Sequence, residues 1–350
     1  MENTGQMIGL ALSGGGLRGA YQIGVYKALQ EAGIKIDGFV GTSIGAFNAA
    51  CIAAGKFSML YDFWYNCDAG QILGFTEKLS KSVNENKLDI KEALKNLKNI
   101  VLNKGISTNG LKEALKTFNL DYYLFKSKKD FGLVTVRFKD FKPIYMFKDN
   151  IEPEKLNDYI IASCYLPIFK MEKLIDNNYY LDGGFYDNLP ANSLIDKGYS
   201  KIYVVDLKAI GITRNYKDKS KIVKITPSRN LGNILNIKQS DIRNNIKLGY
   251  YDTLKIIKGY DGYKYIFKVR RNWYYNLLVR KVDKKLRKEM EIFFKCADNK
   301  ELVLKSIEYL MKKHDFLYYK VYKINKVIKE LQKLDKNYFI YRFIKELKIF

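Results

Sequence analysis

The stretch that decides the fold runs from residue 7 to residue 55 and reads MIGLALSGGGLRGAYQIGVYKALQEAGIKIDGFVGTSIGAFNAACIAAG. It holds two apolar runs, 7–12 and Gly38–Thr42, and each is typical of a buried strand. Each run leads through a glycine-containing turn into a segment with apolar residues at helical spacing, 20–32 and 44–54. Two β-loop-α units in succession indicate a mostly parallel sheet that is covered by helices.

The rest of the N-terminal part extends this pattern. Residues 62–125 are mostly helical in pattern and contain many charged residues, which predicts an insertion over the sheet that could act as a lid. Further strands are predicted at 132–138, 143–147, 179–181 and 201–206. We therefore predict an α/β fold with a mostly parallel central sheet flanked by helices.

The C-terminal part differs in composition. No proline follows Pro227, and Ile, Leu and Tyr recur at helical spacing among many lysines over 234–258 and 283–350. This pattern predicts two domains: an α/β domain over 1–230, which contains the helical insertion, and a basic, largely helical region over 231–350.

Positive charge is concentrated in the same C-terminal part. The formal net charge is +24; residues 1–200 hold 24 Lys and Arg against 22 Asp and Glu, and residues 201–350 hold 37 against 15. A basic region of this kind attracts anionic membranes, nucleic acid or acidic partners. The competing interpretation is compositional bias, because Lys, Ile, Asn and Tyr are abundant while Arg occurs only ten times.

The second predicted turn carries a candidate nucleophile. Gly41-Thr42-Ser43-Ile44-Gly45 is a G-x-S-x-G sequence between a predicted strand and a predicted helix. A nucleophile elbow needs such a tight turn, and small flanking residues such as Gly41 and Gly45 keep the exposed serine free of clashes. The helix that follows also points its positive end at developing negative charge.

The first predicted turn, residues 14–19, is a candidate oxyanion site. Its sequence formally matches the G-x-G-x-x-G motif of dinucleotide-binding proteins. That motif requires an acidic residue at the end of the next strand, whereas Asp37 lies before the predicted strand 38–42. Unhindered glycine N–H groups can converge on one point and stabilise an oxyanion. The predicted oxyanion and substrate-binding residues are Gly14, Gly15, Gly16, Arg18 and Gly19; alternatively, Arg18 forms an ion pair that holds the loop in place.

We expect the base for the serine to be a carboxylate, because the only histidine, His314, lies in the lysine-rich tail. Asp182 follows an apparent strand and is followed by Gly183 and Gly184, which allow close backbone approach. An aspartate of ordinary pKa is a poor base for a hydroxyl and needs burial and accurate placement. The alternatives are a turn-forming role for Asp182, and Asp206 as a reserve candidate.

The order GGGLRG, GTSIG and DGG resembles the patatin-like phospholipase family. The segments ASCYLPIFK and NLPANSLIDKGYSKIYVVDL add to the resemblance, which covers roughly residues 7–210. Many members carry a non-catalytic histidine where this chain reads Tyr21-Gln22. The resemblance implies that residues 14–19 form the oxyanion loop, that Ser43 is the nucleophile, and that Asp182 accepts its proton.

The implied function is hydrolysis of carboxylic esters in phospholipids or other acyl lipids through an acyl-enzyme, without a metal or organic cofactor. The basic C-terminal region would then hold the enzyme on anionic membrane surfaces. Two other functions stay open: a catalytically inactive membrane-associated scaffold, and a nucleotide or nucleic-acid binder that uses the glycine loop and basic tail. Nucleic acid is the less expected partner, because the tail lacks a reader motif.

The sequence also bears on metal binding and location. The four cysteines are scattered, which argues against a Cys/His metal site and for a reducing compartment. No signal peptide and no run of 18 apolar residues is visible. We therefore expect a cytoplasmic protein that can associate peripherally with a membrane.

Overall fold

The computed structural model describes residues 6–66, 107–167, 169–234, 238–334 and 338–349. By packing, the chain divides into two compact units, Met1–Tyr250 and Tyr251–Phe350. The sequence-based domain boundary at 230/231 stays a prediction. Most of the proposed 62–125 insertion lies outside the described residues.

The first unit is built on one mixed, seven-stranded sheet. Its strand order is β4-β3-β2-β1-β6-β7, and β5 pairs with β3. The β1–β2, β1–β6, β2–β3 and β6–β7 pairs are parallel, whereas β4 and β5 run antiparallel to β3. The strands are β1 (Ile8–Leu12), β2 (Gly38–Thr42), β3 (Asp130–Arg137), β4 (Lys142–Phe147), β5 (Tyr180–Asp182), β6 (Lys201–Val205) and β7 (Ile222–Ile225).

Helices cover this sheet, which confirms the predicted α/β class. Because central parallel strands are covered on both faces, they are apolar without alternation, and all five residues of β2 are buried. Strand β7 at the edge was not predicted; its sequence IVKI is short and only half-buried. The helices are α1 (Ala20–Glu31), α2 (Ile44–Ala53), α3 (Phe57–Asn66), α4 (Asn109–Phe118), α5 (Leu120–Lys126), α6 (Leu156–Ser163), α7 (Ala191–Asp196) and α8 (Gln239–Lys258), the last of which contains the boundary between the units.

The second unit is mostly helical around its own apolar core. Asp283 and Asp298 start two of its helices, because their carboxylates accept hydrogen bonds from the N–H groups of Leu286 and Glu301. The helices are α9 (Asn272–Val279), α10 (Lys284–Phe294), α11 (Asn299–Lys313), α12 (Ile324–Leu331) and α13 (Phe339–Glu346).

The second unit confirms the largely helical C-terminal region, and one short pair of strands interrupts its helices. Val321–Tyr322 forms a short strand, β9, parallel to β8 (Ile266–Phe267). A two-residue pairing carries no periodic signal in sequence, because its partner lies more than fifty residues earlier in the chain.

A network of buried polar side chains forms hydrogen bonds to both ends of the first glycine turn. Trp64 Nε1 donates to Asn48 Oδ1 at 3.0 Å, and Asn48 Nδ2 donates to Gln22 Oε1 at 2.8 Å and to the Gly19 carbonyl at 3.1 Å. Gln22 Nε2 in turn donates to the carbonyl of Ser13 at 2.7 Å. The network therefore ties α1, α2 and α3 to both ends of the glycine turn.

Replacement of Asn48 by alanine should destabilise the first unit. Asn48→Ala leaves the Trp64 N–H and the Gln22 carbonyl buried without their partner, and we expect the free energy of unfolding to fall by about 3 kcal/mol. Urea unfolding followed by circular dichroism measures this change. Asn66→Ala on the exposed face of α3 is the matched control and should change it by less than about 0.5 kcal/mol; equal effects would contradict the role of the network.

Candidate functional site

Ser43 lies in a sharp turn between β2 and α2. Its backbone has φ 57° and ψ −132°, a strained conformation for a residue with a side chain. Gly45 must lack a side chain, because a Cβ there would lie 2.3 Å from the Leu12 carbonyl oxygen. The turn thus has the strand–turn–helix context that the G-x-S-x-G sequence predicts.

Asp182 reaches Ser43 through the pairing of β3. Strand β2 pairs with β3 up to the position Thr42–Val134, and β5 begins its own pairing with β3 at Thr135–Asp182. Asp182 therefore lies where β2 ends, at the first ladder position beyond the residue that precedes Ser43. Sites at the carboxyl ends of parallel strands are the rule in such sheets.

The chain can turn away at this point because the next residue is Gly183. A Cβ at Gly183 would lie 2.2 Å from the carbonyl oxygen of Val134 and 2.9 Å from the methyl group of Thr42. The glycine after Asp182 is therefore required by close backbone approach.

The carboxylate of Asp182 is buried, with 3% of its surface exposed. Its Oδ1 accepts a hydrogen bond from the Gly184 N–H at 2.7 Å. Its Oδ2 has no hydrogen-bond partner of regular geometry among the described residues. Burial raises the pKa of Asp182 to about 6, although hydrogen bonds from the Ser43 hydroxyl and the Gly184 N–H act in the opposite direction.

The glycine turn forms one wall of the same cleft. Gly14, Gly15, Gly16, Ser43, Asp182 and Gly184 all line this cleft. The Gly14 N–H donates to the carbonyl of Asn188 at 3.2 Å. In the part of the chain that the structure describes, the N–H groups of Gly15 and Gly16 have no backbone acceptor. These two N–H groups are thus available for a ligand oxygen.

Arg18 does not line the cleft. Its Nε donates to the Gly232 carbonyl at 2.8 Å and its Nη1 to the Lys208 carbonyl at 3.3 Å. This geometry favours the alternative in which Arg18 holds the loop, with carbonyl groups in place of the expected ion pair. Gly19 is also not among the residues that line the cleft, and its carbonyl accepts a hydrogen bond from Asn48 Nδ2.

Several residues around Ser43 were not singled out from the sequence. The Ser43 N–H donates to Ser163 Oγ at 3.0 Å, and that hydroxyl donates to the Val134 carbonyl at 2.6 Å. Burial raises the pKa of the Cys164 thiol well above its ordinary value and the charge of Asp182 adds to this, whereas a hydrogen bond with Ser43 lowers it. Only the segment ASCY, quoted for the family resemblance, contained them.

The remaining lining of the cleft is mostly apolar. Asn188 lies beside Gly14 and Gly184 and is the polar member of this set. Single apolar residues far apart in sequence gave no signal that they share one wall. The lining residues not predicted are Leu166, Phe185, Asn188, Ala209, Ile210, Gly211 and Ile234.

Within the described ranges, no three His, Cys, Asp or Glu side chains come together in a way that could hold a metal ion. The ring of His314 lies in the second unit, where Nε2 is hydrogen-bonded to the Tyr341 hydroxyl at 2.8 Å. None of the helices in the described part has the length and apolar character needed to cross a bilayer.

Comparison with known proteins identifies the family. The model of the patatin-like phospholipase family matches residues 10–195. The chain belongs to the patatin-like phospholipase family, a family of serine acyl hydrolases.

Curated relatives agree with this assignment. Lysophospholipase NTE1 of Kluyveromyces lactis is 30% identical over 217 residues, which is 59% of this chain and 13% of that protein. Lysophospholipase NTE1 of Yarrowia lipolytica is 32% identical over 222 residues, 61% of this chain and 14% of that protein. The chain thus matches only about a seventh of the length of these relatives.

Solved structures include VipD from Legionella pneumophila. It is 15% identical to this chain with a TM-score of 0.43, and the match covers 97% of this chain and 83% of VipD.

Asp182→Asn should stabilise the folded protein at neutral pH. Because the folded-state pKa is raised, the stabilising contribution of Asp182 is complete below about pH 4 and is lost as the pH rises through about 6. An amide keeps the acceptor for the Gly184 N–H without the charge. We expect the free energy of unfolding at pH 8 to rise by up to about 3 kcal/mol, with a flatter pH profile between about 4 and 6.

Denaturant unfolding across this pH range measures the effect. The exposed carboxylate of Glu154 provides the control, and Glu154→Gln should leave the profile close to that of the wild type. A stability of Asp182→Asn that tracks the wild type at every pH would mean that Asp182 has an ordinary pKa.

Proposed function

We propose that the protein is a lipid acyl hydrolase of the phospholipase A or lysophospholipase type that uses Ser43 and Asp182 as a catalytic dyad. The observation that carries the proposal is the adjacency of the Ser43 hydroxyl to a buried carboxylate of raised pKa. A carboxylate with a pKa of about 6 is a stronger base than an ordinary aspartate and is still ionised at neutral pH.

In the first half of the reaction, Ser43 Oγ attacks the ester carbonyl carbon and Asp182 takes the hydroxyl proton. The carbonyl oxygen becomes an oxyanion, and the N–H groups of Gly15 and Gly16 stabilise it, each donor contributing about 3 kcal/mol. The tetrahedral intermediate collapses as the C–O bond to the alcohol breaks. The leaving alcohol receives the proton from Asp182, and the acyl group stays on Ser43.

In the second half, Asp182 removes a proton from water as the water oxygen attacks the acyl carbonyl. The second oxyanion uses the same donors. Its collapse breaks the bond to Ser43, which regains the proton from Asp182, and the fatty acid leaves. Every proton is thus exchanged through one carboxylate, so the dyad needs no imidazole.

The lining of the cleft supports an acyl substrate. Leu166, Phe185 and Ile210 provide apolar surface beside Ser43, and Ile210 is 48% exposed. An apolar mouth of this kind favours the hydrocarbon chain of a lipid over a polar ester. The two relatives described above are lysophospholipases by name, which supports a lipid substrate for this protein.

The C-terminal part is proposed to hold the enzyme on anionic membranes. Residues 251–350 hold 26 Lys and Arg against 12 Asp and Glu, a net charge of +14 (26 − 12). Lysines near an anionic lipid surface contribute about 1 kcal/mol each to binding. We propose that the region after residue 230 serves this purpose in a cytoplasmic, peripherally bound enzyme.

Ser43→Ala should abolish both covalent labelling and lipid hydrolysis. A fluorophosphonate ester probe labels an activated serine, so the wild type should be labelled and should release fatty acid from mixed phospholipid vesicles. The exposed Ser240 on α8 offers a matched control, and Ser240→Ala should keep both properties. Labelling that survives in Ser43→Ala would sink the assignment of the nucleophile.

The pH dependence of the reaction should reveal the base. Asp182 accepts a proton only when ionised, so kcat/KM should fall tenfold per pH unit below about 6, its folded-state pKa. Initial rates on a short-chain ester between pH 4 and 8 measure this limb. Rates that stay flat down to pH 4 would exclude a base of this pKa, and Asp182→Asn should have lost turnover at every pH.

A further inference from the structure

The second unit presents a surface in which exposed rings and lysines lie together. We call it the aromatic–lysine face and define it by Ile292, Phe293, Tyr309, Lys312, Lys313 and Tyr338. These residues come from the end of α10, from α11, and from the start of α13. They are separate in sequence, and the packing of the three helices brings them together.

Ring contacts make the apolar part of this face continuous. The Phe293 ring contacts the Tyr309 ring at a centroid distance of 6.2 Å and the Phe339 ring at 5.2 Å. The Phe339 ring contacts Tyr338 at 4.6 Å, and the Tyr338 hydroxyl is hydrogen-bonded to Tyr309. Because each ring touches the next, these four rings form one patch and not a scatter of single exposed residues.

The rings of this patch are open to solvent. Ile292 is 66% exposed and Phe293 46% exposed, while Tyr309 and Tyr338 are each 37% exposed. Scattered apolar residues on a surface need no explanation, but a connected group marks an interaction site. The same three helices bury other apolar side chains in the core of the second unit, including Met290, Leu310 and Ile340.

Lysines border the same patch. Lys312 and Lys313 end α11 and line a cavity with Phe294 and Tyr309. Lys313 Nζ lies 5.5 Å from the centre of the Tyr338 ring. Neither lysine has a carboxylate within ion-pair distance in the described ranges.

Two acidic side chains on α11 have partners other than these lysines, whereas the exposed Glu289 of α10 acts electrostatically on Tyr338. Glu308, the acidic residue of the cavity, accepts hydrogen bonds from the N–H groups of Tyr263, Lys264 and Tyr265. Glu301 pairs with Lys305 at 2.5 Å. The ammonium groups of Lys312 and Lys313 thus form no ion pair within the described ranges and can contact an anionic ligand.

We propose that the aromatic–lysine face docks the protein on an anionic lipid bilayer. Tyr and Phe rings are stable at the boundary between headgroups and acyl chains, where one end is apolar and the other wet. Ile292 and Phe293 enter this boundary, and Lys312 and Lys313 lie at the level of the lipid phosphates and carboxylates. The inference rests on the proposed function for its purpose, because a lipid hydrolase has to reach its substrate.

The arrangement favours a bilayer over nucleic acid. Proteins bind single-stranded nucleic acid by stacking bases on open ring faces, whereas Phe293 packs edge-to-face against three other rings, those of Phe294, Tyr309 and Phe339. The most exposed member, Ile292, has no ring to offer. An aliphatic side chain beside packed rings suits an acyl region, and lysines at its border suit anionic headgroups.

The test is vesicle binding of the full chain in a Ser43→Ala background, so that no lipid is consumed. Sedimentation with phosphatidylcholine vesicles, with and without phosphatidylserine, measures partitioning. We expect strong binding only with phosphatidylserine. The double substitution Lys312→Gln and Lys313→Gln should weaken it on the order of 30-fold, and Ile292→Ser with Phe293→Ser should weaken it by tenfold or more.

Matched controls show whether a loss of binding depends on where the changed residues lie or only on the change in charge and hydrophobicity. Lys284 and Lys285 are exposed at the opposite end of α10, roughly 13 Å along the helix from Phe293. Their double change to Gln alters the net charge equally and should weaken binding less than threefold. Val269 and Trp273, which are 56% and 59% exposed, provide the apolar control when both are changed to Ser.

The outcomes distinguish this proposal from the proposed function. Equal losses in the face variants and their controls, equal binding to neutral vesicles, or retention of labelled DNA in place of vesicles would overturn the docking proposal. Hydrolysis of a soluble short-chain ester by the same face variants, with Ser43 intact, should match the wild type. A wild type that binds phosphatidylserine vesicles but cleaves no ester would leave the docking surface standing and remove the proposed activity.

Discussion

The site depends on how β3 divides one of its edges between two strands. Strand β2 occupies this edge as far as Val134, and β5 continues from Thr135. The first strand delivers Ser43 in the turn that follows Thr42, and the second delivers Asp182 at its last position. A shift of one residue in either register would turn a side chain to the other face of the sheet. The hydrogen-bond ladder of β3 therefore fixes the distance between the serine and the carboxylate.

The same arrangement opposes stability. The Asp182 carboxylate is buried, and the loss of hydration disfavours its charged form, which raises its pKa to about 6. The strained backbone of Ser43 adds a second local penalty. The Asp182 carboxylate and the Ser43 turn keep these conformations because they pack against buried parallel strands. The hydrogen bonds among Trp64, Asn48 and Gln22 support the neighbouring glycine turn. A site that is strained and partly unsatisfied is typical of preorganised catalysis.

The two units differ in the interactions that they offer to a ligand. The first concentrates its polar groups at one end of an apolar sheet, where a few backbone N–H groups and one carboxylate act at short range. The second carries a net charge of +14 (26 − 12) and exposes connected rings over its helical core. Charge attraction acts over about 8 to 10 Å at ordinary salt, and ring insertion acts on contact. This division suits the proposed function, in which the first unit carries out catalysis in a small cleft and the second unit binds a membrane over a wide surface.

The sequence by itself determined the elements whose signals are local. The two β-loop-α units, the elbow at Ser43 and the glycine turn lie within residues 7–55, where apolar runs and glycines predict strand, turn and helix. The DGG sequence drew attention to Asp182, but only the tertiary structure decided that its carboxylate is buried beside Ser43 and that Arg18 points to backbone carbonyls. The short β8–β9 pair and the aromatic–lysine face also came from tertiary packing. Their partners are distant in sequence, and contacts between distant segments leave no periodic pattern along the chain.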